Sequence, residues 1–106
     1  MRAFGSPPDL TALKGSYLVS LKTDLGALEN LQSEVDFGFA EPRTYEDLRR
    51  LAHVQAGNAA TFGFEALGLA ARAVDVLLSE LQGPSDKLAP LIGTWQRELQ
   101  KACQGG

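Results

Sequence analysis

Apolar residues recur along this chain at the spacing of an α-helix, and no segment alternates as a β-strand would. Four amphipathic segments are predicted, at about residues 9–35, 44–61, 65–82 and 86–103. Within each, apolar side chains follow one another at about 100° per residue and so share one helical face. The residues predicted to line these faces are Leu10, Leu13, Tyr17, Leu21, Leu28, Leu31, Val35, Leu48, Leu51, Ala52, Ala59, Phe62, Leu67, Ala70, Ala71, Val74, Leu77, Leu78, Leu81, Leu88, Leu91, Ile92, Trp95, Leu99 and Ala102. The pattern predicts an all-α protein.

Residues typical of helix ends lie at the start of the first segment and between the first and second segments. Asp9 is placed to cap the first helix or to lie in its first turn. Gly38 and Pro42 are expected to break the chain after that helix. Thr44, with Asp47 three residues later, resembles a capping box in which aspartate replaces glutamate. The second helix is therefore predicted to begin at Thr44.

The later connections are short. Gly63 is a plausible left-handed stop after the second helix, and the residues "GPS" at 83–85 end the third, with Ser85 able to cap the fourth. Pro90 fits the first turns of the fourth helix, where a missing N–H costs little. Short connections favour antiparallel neighbours. The expected architecture is one up-down-up-down four-helix bundle over residues 1–106, with the first residues loose or packed as a short cap.

Composition narrows the classes of function. The net charge of −3 and the pI of about 5.0 argue against non-specific binding of nucleic acid, which needs a basic face. The single cysteine, Cys103, excludes an intrachain disulfide and offers no metal cluster. No signal peptide is visible in "MRAFGSPPDL", and no apolar run approaches the ~18 residues that span a bilayer. We expect a cytoplasmic monomer without nucleic-acid or membrane partners.

The only histidine of the chain, His53, lies on the polar side of the second helix, roughly 140–150° from its apolar stripe. Its neighbours on that outer face are Arg49 and Arg50 before it, and Ala56, Gly57 and Ala60 after it. A glycine inside a helix costs about 1 kcal/mol relative to alanine, which suggests a need for space. Two other interpretations stay open here: an ordinary surface histidine, and a small-residue patch for close helix packing.

The stretch "LAHVQAGNAATFGFEALGLAARAVDVLLSEL", residues 51–81, resembles the histidine phosphotransfer (HPt) domain, which includes the phosphate-accepting first domain of chemotaxis histidine kinases. The positions that match the family pattern are His53, Gly57, the small residues 58–61, Gly63 and Phe64. Two positions depart from it. Gln55 stands where the family has leucine, and Ala56 stands where it has a lysine that lies beside the phosphoryl group.

The resemblance implies a phosphorelay intermediate in which His53 accepts phosphate from a receiver-domain aspartate or a kinase and passes it to another receiver. The partners it implies are the receiver domain of a response regulator, a hybrid histidine kinase, or both. It implies no cofactor of the chain's own, since the receiver supplies the Mg²⁺. Residues expected to contact the phosphate or the receiver are Arg49, Arg50, Ala56, Gly57 and Ala60. Without the lysine, transfer is expected to be slower than in a relative that has it.

Two other functions compete with this one. The first is an HPt-like module that docks a receiver or kinase without carrying phosphate, motivated by Ala56. The second is a helical interaction domain with no link to phosphorelay. Leu69 and Val76, with Arg72 nearby, lie outside the apolar stripe of the third helix, and are either partner contacts or scattered surface residues.

Overall fold

The computed structural model describes residues 10–80 and 86–105, which form four α-helices. These are α1 (Leu10–Asp36), α2 (Pro42–Asn58), α3 (Glu65–Glu80) and α4 (Leu88–Gly105), and a short 3-10 turn at Ala60–Phe62 follows α2. This part of the chain contains no strand, so the all-α prediction is confirmed. The predictions for Asp9, Leu81, Ser85, the N-terminal cap and the end of the third helix lie outside the described residues, as does the side chain of Leu10.

The predicted apolar faces meet in one core. The main packing contacts run around the bundle, from α1 to α2, α2 to α3, α3 to α4 and α4 back to α1. The side chains that are buried in it are Leu21, Leu28, Leu48, Ala52, Ala59, Leu67, Ala70, Ala71, Val74, Leu88, Ile92, Trp95, Leu99 and Ala102. Leu13 was wrongly placed among them: it is exposed, because it lies near the start of α1, outside the buried layer that begins at Leu21. No described helix is both long and apolar enough to span a bilayer.

Contacts between α2 and α3 show that these two helices run in opposite directions. Nε of Arg49 lies 3.1 Å from Oγ of Ser79, whereas four residues further along α2 Nδ1 of His53 lies 2.9 Å from Oδ2 of Asp75. Later positions in α2 thus meet earlier positions in α3. Gly63 has the predicted left-handed conformation, with a φ of 89°, but it ends the 3-10 turn. The helix α2 itself ends earlier than predicted, at Asn58, and its C-cap Ala59 is right-handed. The up-down-up-down course of all four helices stays a prediction.

The start of α2 differs from the prediction. The helix begins at Pro42, whose missing N–H and fixed φ suit the first helical position. Glu41 is the N-cap residue in an extended conformation, and its N–H donates to Oγ1 of Thr44 at 3.0 Å. The Thr44 hydroxyl in turn donates to Oε1 of Glu34 on α1 at 2.7 Å. Thr44 therefore belongs to the capping interaction as its third helical residue, and the proposed pair with Asp47 was wrong.

A polar side chain lies inside the core of the bundle. Gln55 of α2 is 1% exposed. Its Nε2 donates to Oδ2 of Asp24 on α1 at 3.1 Å, and its Oε1 accepts from Nε1 of the fully buried Trp95 on α4 at 2.6 Å. The amide of Gln55 thereby joins three helices with two directional hydrogen bonds.

The substitution Gln55→Leu should destabilise the protein, although it restores the apolar residue of the family pattern. Leucine would leave the buried N–H of Trp95 without an acceptor, which costs about 1–3 kcal/mol. Chemical unfolding would measure the free energy of unfolding. The matched control is Gln96→Leu on α4, whose amide makes a longer, exposed contact of 3.5 Å with Glu29, and which should stay within about 0.5 kcal/mol of wild type. Equal stabilities of both variants would contradict the importance of the buried network.

Candidate functional site

The imidazole of His53 is exposed and yet fixed by a neighbour on the next helix. Its side chain is 76% exposed, and its Nδ1 lies 2.9 Å from Oδ2 of Asp75, whose own side chain is 16% exposed. An ionised carboxylate can only accept hydrogen bonds, so in this pair Nδ1 carries the proton. The lone pair then lies on Nε2, at the opposite edge of the ring. The arrangement offers a nucleophilic nitrogen whose ring is held from behind.

A second pair of residues, four positions away on each helix, extends this contact. Nε of Arg49 lies 3.5 Å from Oδ1 of Asp75 and donates to Oγ of Ser79 at 3.1 Å. The Ser79 hydroxyl donates to the backbone carbonyl of Asp75 at 2.8 Å. Oδ1 of Asp75 is buried and accepts no hydrogen bond from the described residues, so its ion pair with Arg49 is its main compensation. The two carboxylate oxygens thus face different partners on α2.

The other predicted cation is paired elsewhere. A guanidinium nitrogen of Arg50 lies 3.7 Å from Oδ1 of Asp47, three residues earlier on α2. Arg50 and Arg49 still line a surface depression beside the imidazole. The complete lining of this depression is Glu46, Arg49, Arg50, His53 and Val54. Two guanidinium groups therefore lie on the N-terminal side of His53, together with the carboxylate of Glu46.

The C-terminal side of His53 is low and open. Gly57 and Ala60 are exposed, and a Cβ atom built on Gly57 would have no neighbouring atom of residues 10–80 or 86–105 within 4 Å. Close packing against the described helices does not explain this glycine, since none of their atoms lies within 4 Å of that Cβ position. Ala56 differs from both, because it is half-buried against the core. The space beside the imidazole is thus available to another molecule.

Apolar side chains also reach the surface near the histidine. Val54 follows His53 on α2, and Val76 follows Asp75 on α3; both are about half exposed, and Leu69 of α3 is 69% exposed. Arg72 lies on the same helix and is also exposed. The surfaces of α2 and α3 thus carry exposed apolar side chains, of which Val54 lines the same depression as His53.

Comparison with protein families decides what this surface belongs to. The Hpt domain model matches residues 12–105, almost the whole of the described chain. The chain belongs to the Hpt domain family. Hpt domains carry out histidine phosphotransfer in phosphorelays and interact with receiver domains of response regulators or with kinases. Searches of curated proteins and of solved structures found no match.

Sequence reasoning found the Hpt resemblance but missed Asp75. This residue lies beside the buried stripe of α3 and carries no motif of its own. A geometric signal was present: His53 lies eleven residues before Phe64 and Asp75 eleven residues after it. Two antiparallel helices that meet at that turn bring such positions together. This spacing identifies Asp75 only if one already knows that α2 pairs with α3 and where the turn between them lies.

The thiol of Cys103 and the phenol of Tyr17 are weaker candidates for a nucleophile than the imidazole of His53, because neither is ionised at neutral pH. Burial is the main cause that raises the pKa of the Cys103 thiol; Asp24 also raises it, while Lys22 opposes the shift. Burial, followed by Asp24, likewise raises the pKa of Tyr17, whose ring stacks on Phe62 with centroids 4.2 Å apart. At neutral pH both groups stay protonated. Among the described residues, no three His, Cys, Asp or Glu side chains gather to hold a metal ion.

The open space at Gly57 predicts that stability and function can be separated there. Gly57→Leu should raise the free energy of unfolding by up to about 0.5–1 kcal/mol, because leucine is the better helix former and meets no neighbour. The same side chain should weaken docking of a receiver beside His53. The matched control is Gly26→Leu on α1, where a Cβ also has no neighbour within 4 Å. Unfolding and receiver-binding titrations of both variants would test this, and equal binding by both would contradict a role for this space.

Proposed function

We propose that this protein is a phosphorelay intermediate in which His53 carries the phosphoryl group on Nε2. The phosphoryl group comes from the aspartyl phosphate of a receiver, or from a kinase, and passes to the aspartate of another receiver. The observation that supports this most directly is the exposed imidazole held at Nδ1 by Asp75, 2.9 Å away. A surface histidine without a role needs no such partner.

In the proposed step, the Nε2 lone pair attacks the phosphorus of the acyl phosphate. The N–P bond forms, the P–O bond breaks, and the receiver carboxylate leaves with the bonding electrons. Nδ1 keeps its proton, so positive charge develops on the imidazole ring. The carboxylate of Asp75 lies where it stabilises that charge, as the third group does in other histidine-dependent transfers. The reverse step uses the same contacts.

The remaining requirements fall to the partner. Phosphoryl transfer proceeds through a loose transition state, so positioning and charge neutralisation dominate catalysis. We propose that the receiver supplies the aspartate and the Mg²⁺. Its active-site loops would approach over Gly57 and Ala60, which leave the C-terminal side of His53 open. The exposed side chains of Leu69 and Val76 would provide apolar contacts for the same partner.

The first test of this function is the substitution His53→Gln. The protein would be incubated with a phosphorylated receiver and Mg²⁺, and the transferred label would be characterised by its acid lability and base stability. We expect the wild type to take label and the variant to take none. Unfolding free energies should agree within about 0.5 kcal/mol, because the histidine is exposed.

Because His53 is the only histidine of the chain, label on a histidine can be assigned to this residue. A variant that still takes label would show that another residue is the acceptor, and a variant that unfolds would show that His53 is structural. If the wild type binds the receiver without taking label, the protein is a docking module instead. If the wild type neither binds the receiver nor takes label, the experiment gives no support for a role in phosphorelay.

A second prediction concerns Ala56, where the family pattern has lysine. A cation beside the phosphoryl group is worth about 0.5–2 kcal/mol in the transition state, so Ala56→Lys should accelerate single-turnover transfer by a few-fold to about thirtyfold. Ala56 is half-buried, so the lysine stem must lie along the helix surface to bring its ammonium group to solvent. The control is Asn58→Lys, which adds the same charge at an exposed position on a different side of α2. Equal rates for wild type and both variants would mean that the receiver supplies all the necessary charge.

A further inference from the structure

We infer that Arg49 is a positioning residue that acts on His53 through Asp75, and not a direct contact of the phosphoryl group. This inference rests on the proposed function for its catalytic consequence, but its structural part can be tested without any transfer. The four residues involved are two pairs spaced four apart, Arg49 and His53 on α2 and Asp75 and Ser79 on α3. Because the helices are antiparallel, the pairs form a closed cluster on one surface.

The carboxylate of Asp75 is the centre of this cluster. Oδ2 lies 2.9 Å from Nδ1 of His53, and Oδ1 lies 3.5 Å from Nε of Arg49. The torsion that turns an aspartate carboxylate is broad, so one contact alone fixes its plane poorly. Two contacts at different oxygens restrict that rotation. Arg49 therefore holds the carboxylate in the orientation that accepts from His53.

Arg49 is itself held on the other side of the cluster. Its Nε donates to Oγ of Ser79 at 3.1 Å, and that hydroxyl donates to the carbonyl of Asp75 at 2.8 Å. Ser79 thereby connects the arginine to the backbone of α3 at the same residue whose side chain the arginine contacts. These contacts restrict the motion of the Arg49 side chain, which is long and 57% exposed.

The direction of the arginine side chain agrees with this assignment. Helical side chains lean towards the N-terminus of their helix, and Arg49 lies one turn before His53. Its Nε contacts the residues that lie behind the imidazole, at the Nδ1 edge. The reactive Nε2 lies at the opposite edge. An arginine on the Nδ1 side is well placed to orient the ring and poorly placed to meet the phosphoryl group.

A double-mutant cycle separates the two roles. We expect Arg49→Ala to slow single-turnover transfer by about threefold to tenfold, and Asp75→Ala by about tenfold or more. If Arg49 acts through Asp75, the double variant should be no slower than Asp75→Ala, because coupled residues are non-additive. If the two losses multiply, Arg49 acts independently of Asp75 and the inference is overturned. Arg43→Ala, which removes an exposed cation paired with Asp47 on the same helix, is the control and should leave the rate unchanged.

The second readout is the tautomer of His53, measured from the ¹⁵N shifts of its ring at a pH where the imidazole is neutral. One histidine in the chain gives one pair of ring signals. In the wild type we expect a protonated Nδ1 and an unprotonated Nε2. Arg49→Ala should move the two shifts towards each other, Asp75→Ala should move them further, and Arg43→Ala should change neither.

These two measurements distinguish failure of the inference from failure of the proposed function. Unchanged shifts in Arg49→Ala would overturn the inference even if the protein transfers phosphate normally. Converging shifts in a protein that accepts no phosphate would support the positioning by Arg49 and reject the phosphorelay function instead. Arg49→Lys adds a further check: lysine keeps the charge but loses the Nε donor between Ser79 and Asp75, so its shifts should lie between those of wild type and Arg49→Ala.

Discussion

The orientation of α2 depends on one buried amide. Gln55 accepts a hydrogen bond from Trp95 of α4 and donates one to Asp24 of α1, so its side chain must point into the core. Hydrogen bonds are directional, whereas apolar packing tolerates rotation of a helix by several degrees. His53 lies two residues earlier, and at 3.6 residues per turn it faces about 160° away from Gln55. The constraint that fixes the core side of α2 therefore also determines that the histidine faces solvent.

A fixed orientation of α2 still leaves the imidazole free to rotate about its side-chain torsions. A second set of contacts restricts that rotation. Asp75 approaches from α3 and accepts from Nδ1, so the ring is held although most of it is exposed. The two sets of contacts have different partners: α1 and α4 fix the helix through the core, and α3 fixes the ring at the surface. The imidazole is in this way both accessible and positioned, as the proposed transfer to another protein requires.

The sequence predicts what depends on local pattern and misses what depends on pairing between helices. The four helices, the core stripes, the left-handed Gly63 and the outward direction of His53 follow from periodicity and turn chemistry. The start of α2 was not predicted. A proline such as Pro42 is found both after the end of one helix and in the first turn of the next. Which applies here depends on the hydrogen bond from Thr44 to Glu34, across the connection between α1 and α2. Asp75 and Ser79 were missed for the same physical reason: their partners are 22 and 30 residues away in the chain.

The two departures from the family pattern, at positions 55 and 56, have different physical consequences. Glutamine in place of leucine at 55 exchanges apolar packing for two hydrogen bonds within the core, so it affects how firmly the helix is oriented. Alanine in place of lysine at 56 removes a cation from the C-terminal side of the histidine. Arg49 and Arg50, the cations that line the depression beside His53, lie on its N-terminal side and are paired with Asp75 and Asp47. In the proposed reaction this places positive charge behind the imidazole, where it orients the ring, and leaves neutralisation of the transferred group to the metal ion and side chains of the receiver.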